Sequence, residues 1–247
     1  MTQPNIFAPD AEWLPELRHL LQAYRSVPVP AEECFVDSEE APSRGMRSYL
    51  RVAVYYPGRA FRAAREIADV VHLGINHYDV AACLATMPPI IPPRGKVRVD
   101  CLLAMIPYLA EFENGGYREE PAPPDTAWEC RERYPNLGML LAAHFSQDDS
   151  LERTARLDAY FEHNPDFRIA AALRELEEAR EICPTEAELK NATSGLGMDA
   201  PPPDGQPYTE WLDHLAHCLA ARLESVSYER PHGLNPAYPA HDIRTTW

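Results

Sequence analysis

Carboxylates are the reactive groups that this sequence gathers most closely. Asp148, Asp149 and Glu152 fall together, and Asp158 and Glu162 follow at the next two helical turns. Acid/base or glycosidic chemistry needs two carboxylates in one cleft with separated pKa values, which a run of acids along the chain does not create. Two readings remain. The acids mark a helix start, where the macrodipole favours negative charge, or they form a surface for a basic partner. His214 and His217 are three apart and could share a helix face, but no cysteine or acid at matching spacing completes a metal site around them. His72 and His77 flank Gly74 and read as turn and cap residues. Cys34, Cys83, Cys101, Cys130, Cys183 and Cys218 include no close pair and fit small buried side chains in a reducing compartment better than disulfides or a zinc site. The sequence has no P-loop, dinucleotide-binding glycine fingerprint, Gly-x-Ser-x-Gly elbow or His-Glu-x-x-His helix. The expectation is a binding protein with no catalytic residue, no cofactor and no metal.

The chain of 247 residues is long for one helical domain and sufficient for two cores, and 45% hydrophobic with 25% charged residues is ordinary for a folded soluble protein. No apolar run approaches the roughly 20 residues that span a bilayer, and residues 1–10 lack a basic start and an apolar core, so the expected location is the cytoplasm. A net charge of -15 disfavours direct contact with nucleic acid or an anionic membrane and suits a basic protein partner, although acidity also serves plain solubility. Residues 1–126 carry 17 acids and 12 bases, whereas residues 127–247 carry 21 acids and 11 bases, so the excess lies in the second half.

The elements that would position these groups read as helices. Trp13, Leu14, Leu17, Leu20, Leu21 and Tyr24 make one apolar stripe, stopped by Val27-Pro28-Val29-Pro30, and residues 31–45 read as a loop. Residues 46–56 fit either a strand or a helix; helix is preferred because no second strand exists to pair with. Phe61, Ala64, Ile67, Ala68 and Val71 form the next stripe, ended by Gly74, and Asn76 is the expected cap of the helix after it. Residues 97–112 are apolar nearly all round and predict a central buried helix kinked at Pro107. Asn114-Gly115-Gly116 and Pro121-Ala122-Pro123-Pro124 mark a boundary. Beyond it lie a helix over about 136–145, another around Leu157, Tyr160 and Phe161, and a third capped by Asn164. That third helix has the stripe Ile169, Ala172, Leu173, Leu176 and Ala179, with Glu175, Glu177 and Glu178 outside it. An irregular Gly/Pro loop precedes the last helix, striped by Tyr208, Trp211, Leu212, Leu215, Leu219, Leu223 and Val226. No repeat of fixed period is visible. The expected fold is all-α in two small domains, with minor β in the first as the alternative. The expected ranges are 1–120, 126–228 and a surface tail at 229–247.

The segment Tyr134-Pro135-Asn136-Leu137 through Phe145, then Gln147-Asp148 and Leu151-Glu152, with Tyr208-Thr209-Glu210-Trp211-Leu212 closing the region, resembles the immunity proteins of contact-dependent growth inhibition systems. Where that family commonly has a histidine before the Gln-Asp pair and a tryptophan after it, this chain has Ser146 and Asp149. The resemblance covers about 134–226 and leaves the first domain without an assigned function. It implies a bacterial antitoxin that covers the active site of a cognate toxin domain, such as a nuclease with a basic groove, and catalyses nothing. The contact surface is then expected among Asp148, Asp149, Glu152, Asp158, Glu162, Glu175, Glu177 and Glu178. The alternative is a helical adaptor or scaffold that binds a peptide or a secretion-system component.

Overall fold

The computed structural model describes residues 13–28, 35–38, 41–145, 153–198, 200–202 and 205–228. Among them are eleven α-helices and no strand, so the protein is all-α. The chain divides into two compact units at Glu120/Pro121. Residues 229–247, expected to form a surface tail, lie outside the described residues.

In the first unit, α1 (Pro15–Ser26) starts with a proline, whose missing N–H costs nothing at that position. The next free amides are satisfied from another helix: the Glu66 carboxylate accepts the N–H of Leu17 at 2.7 Å and, more weakly, that of Glu16 at 3.4 Å. Helix α2 (Arg44–Ala53) is capped by Ser43, whose hydroxyl accepts the Met46 N–H at 3.1 Å, so the strand alternative for residues 46–56 does not hold. Gly45 lets α2 approach closely, since a Cβ there would sit 2.8 Å from Tyr24 Cα. Helix α3 (Arg59–Leu73) follows and ends at Gly74, where φ is 91°. Its buried stripe is Ala60, Ala63, Ile67 and Val70, and Phe61, expected inside, is exposed. Trp13 is likewise exposed. Helix α4 (Tyr78–Ala85) has His77 rather than Asn76 at its N-cap.

Helix α5 (Arg98–Glu113) buries Cys101, Leu102, Met105, Tyr108 and Leu109, while Val97, Leu103 and Pro107 face outward. It is therefore a one-sided helix, not the centrally buried one expected from its composition. The packing centre of this unit is α3, which lies against both α1 and α5.

In the second unit, α6 (Ala127–Arg133) is capped by Thr126 and was not expected from apolar periodicity. Then come α7 (Pro135–His144), α8 (Arg153–His163), α9 (Asp166–Ile182), α10 (Glu186–Gly195) and α11 (Tyr208–Ser225). The cap of α9 is Pro165; Asn164, expected there, instead donates its side-chain amide to the Tyr160 carbonyl at 3.0 Å. Helix α9 is central and packs against α7 and α11. Trp211 is fully buried, with its ring edge-on to Phe145 at 5.4 Å. Cys83, Cys101, Cys130 and Cys183 are free and buried, and Cys218 is partly exposed. None of the helices among the described residues is long and apolar enough to cross a membrane.

Candidate functional site

The acids of the second unit separate into those that hold the fold and those left to solvent. Glu175 belongs to the first group. It is 3% exposed, which corrects the expectation that it lies outside the buried stripe and removes it from the contact surface. From the centre of α9, its Oε2 accepts the N–H groups of Asn136 and Leu137, each at 2.8 Å, and its Oε1 accepts from the Asn136 side-chain amide at 2.7 Å. The side chain of Tyr134, the N-cap of α7, makes no capping hydrogen bond, and Pro135 has no N–H, so Glu175 does the capping from a different helix. Burial pushes the Glu175 carboxyl up to about 8 despite those hydrogen bonds. The Tyr134-Pro135-Asn136-Leu137 segment that carries the resemblance is therefore explained by how α7 starts.

Other carboxylates are similarly committed. Glu129 is buried beside Arg133 at 3.3 Å, and Arg133 donates to the Ala122 carbonyl at 2.8 Å. Glu188 forms a capping box with Thr185 at the start of α10. Glu186 accepts the N–H groups of Tyr208 at 2.7 Å and Thr209 at 3.0 Å, so it caps α11. Asp213 pairs with Arg180. Asp166 pairs with Arg222 at 3.5 Å.

The second group contains two close pairs. Asp158 and Glu162 are exposed on α8, and Glu177 and Glu181 are exposed on α9. Each pair is spaced i,i+4, so its members are neighbours on one helix face. Glu181 was not among the expected residues, and its spacing from Glu177 was the signal that could have found it. Glu178 is partly exposed and reaches Arg133 Nη2 at 3.4 Å. Asp148, Asp149 and Glu152 lie outside the described residues. Helices α8 and α9 both pack on α7, which is what places the two acidic pairs.

Where these pairs sit matters more than their number. Asp158 is at the centre of α8, but Glu162 and Glu181 lie in the last turn of their helices, since α8 ends at His163 and α9 at Ile182. Negative charge there meets the negative end of the macrodipole. Each like-charge i,i+4 pair adds a cost of about 0.2–0.5 kcal/mol. The helix-start explanation thus fails for Asp158 and Glu162. Side chains that break a local rule with no structural return are the ones to assign to function.

His214 and His217 are exposed on α11, with Cys218 Sγ 3.6 Å from His214 Nε2. No group of three or more potential metal ligands occurs among the described residues. Residues 133–219, which span α7 to most of α11, match the family model described as CdiI immunity protein. No curated protein and no solved structure matches the chain.

Proposed function

We propose that this chain is an immunity protein that binds and neutralises a cognate toxin domain, with the second unit as the binding module. The observation that carries the reading is the pair of acidic faces, Asp158/Glu162 and Glu177/Glu181, each with one acid in the last turn of its helix, inside the segment that matches the immunity family. A surface of this kind is complementary to a basic groove such as that of a nuclease. It steers encounter through long-range attraction and competes with the nucleic-acid backbone for the same cations. Glu178, partly engaged by Arg133, and Asp148, Asp149 and Glu152 complete the proposed surface. The protein acts by covering the toxin's active site in the cytoplasm and performs no catalysis.

The test is co-expression of the full chain with the C-terminal domain of the secreted protein encoded beside it, scoring growth and co-purification. Rescue with a stable complex is expected. The Asp158→Lys, Glu162→Lys, Glu177→Lys, Glu181→Lys chain should lose the complex while keeping its melting temperature, since all four positions are exposed. No rescue and no complex would overturn the reading and favour an adaptor.

A further inference from the structure

Glu66 and Glu175 perform the same task in the two units, and the likeness extends well beyond them. Pro15 and Pro135 each open a helix whose next two amides are taken by that glutamate, from the centre of a helix that packs alongside. From this anchor, α1 to α5 follow the same order as α7 to α11. In each unit the third helix of the series, α3 or α9, packs on both the first and the last.

A set of buried positions recurs at the same register in both units, although Ala23, Tyr24, Arg51 and Val52 are buried where Ala143, His144, Glu162 and His163 are not. Leu17, Leu20 and Leu21 correspond to Leu137, Leu140 and Leu141; around the capping glutamates, Ala63, Ile67 and Val70 correspond to Ala172, Leu176 and Ala179. Tyr49 corresponds to Tyr160, and Val80 and Cys83 to Leu189 and Ala192. In the last helices, Cys101, Leu102, Met105 and Leu109 occupy the positions of Trp211, Leu212, Leu215 and Leu219. Ahead of those helices, by the same number of residues in each unit, stand Gly95 and Gly205, both left-handed with φ of 86° and 68°.

One amphipathic helix resembles another through its 3.6-residue period alone. That period does not dictate five helices in one order, a glutamate capping a remote proline-led helix, and a left-handed glycine at one place. The connection after α1 spans residues 27–43, against 145–152 after α7, and α6 has no counterpart. Unequal connections erase any constant spacing, which is why the repeat is invisible as a sequence period.

We infer that residues 14–113 are a second, diverged copy of the module at 134–226, and that this copy binds a second toxin domain through a surface that lacks the acidic pairs of the second unit and carries exposed aromatic side chains. This rests on the immunity reading of the second unit. The register places Arg47 and Arg51 where the second unit has Asp158 and Glu162, and Ala68 and His72 where it has Glu177 and Glu181. A basic groove that fits the second copy would meet no such acids on the first. What the first copy shows instead is apolar: seven of the ten exposed large hydrophobic residues among the described residues belong to it, with Tyr78 at 67%, Val97 at 61% and Phe61 at 60% the most exposed. Exposed aromatics of this kind serve as anchors in protein interfaces.

The full chain is co-expressed, one at a time, with each toxin domain found at the C-terminus of the secreted proteins encoded in its genome. Growth rescue from two of them is expected. The four-lysine chain described above should lose one rescue and keep the other, and Phe61→Asp with Tyr78→Asp should do the reverse, each chain melting as the parent does. Rescue from a single toxin overturns the second module, as does loss of both rescues in the four-lysine chain. Rescue from none overturns the immunity reading itself.

Discussion

Glu175 joins stability to pH through a single side chain. In the folded protein its carboxyl holds a proton up to about pH 8, against a reference value of 4.5 in the unfolded chain. Between those values the folded state binds more protons than the unfolded state. Stability therefore falls as pH rises from 4.5 towards 8 and levels off above, at about 1.4 kcal/mol per unit at most. When protonated, Oε2 still accepts the amides of Asn136 and Leu137, and Oε1 becomes a donor to which the Asn136 side chain turns its oxygen. Glu175→Gln keeps this neutral pattern, so its denaturant midpoint should be nearly flat across the window in which the parent's declines. Glu175→Ala leaves two buried amides without acceptors and should cost about 2–4 kcal/mol in urea unfolding near pH 5, a difference that shrinks as the parent declines towards pH 8.

The individual helices show where sequence pattern suffices. The stripes of α1 and α11 were readable because large apolar residues define a single face. The stripe of α3 was placed wrongly because Phe61, its largest apolar side chain, points to solvent, while the true face is made by Ala60, Ala63, Ile67 and Val70. Helices α6 and α10 escaped a reading based on periodicity, yet each opens with a threonine three residues before a glutamate, Thr126/Glu129 and Thr185/Glu188. That capping signature was legible. The role of Glu175 was not: nothing local announces that a glutamate in α9 will cap a helix some 40 residues earlier. Two substitutions test these local devices by thermal or urea unfolding. Thr185→Ala removes the cap of α10 and should cost about 1 kcal/mol. Gly45→Ala drives a methyl to 2.8 Å from Tyr24 Cα and should cost about 1–3 kcal/mol, because the contact is backbone and α1 must move.

At the scale of the whole molecule, two cores with separate capping glutamates imply two cooperative transitions. In differential scanning calorimetry, Glu66→Ala should lower one transition and Glu175→Ala the other. Glu66 is the less buried of the two, so its removal should cost less, about 1 kcal/mol. A net charge of -15 further predicts that toxin association by the second unit slows several-fold between 50 mM and 500 mM salt, measured by stopped flow, with dissociation much less affected.

The buried thiols give each half of the chain its own clock. Cys83 and Cys101 lie in the first unit, Cys130 and Cys183 in the second, and burial pushes Cys130 up to about 12 and Cys183 to about 11, so none of the four is reactive while its surroundings stay folded. Alkylation of these sulfurs must wait for opening, and its rate, read peptide by peptide in a mass spectrometer, reports the lifetime of each unit separately. A bound toxin would then lengthen the labelling time of the cysteines in the unit it covers, which identifies that unit without any mutation.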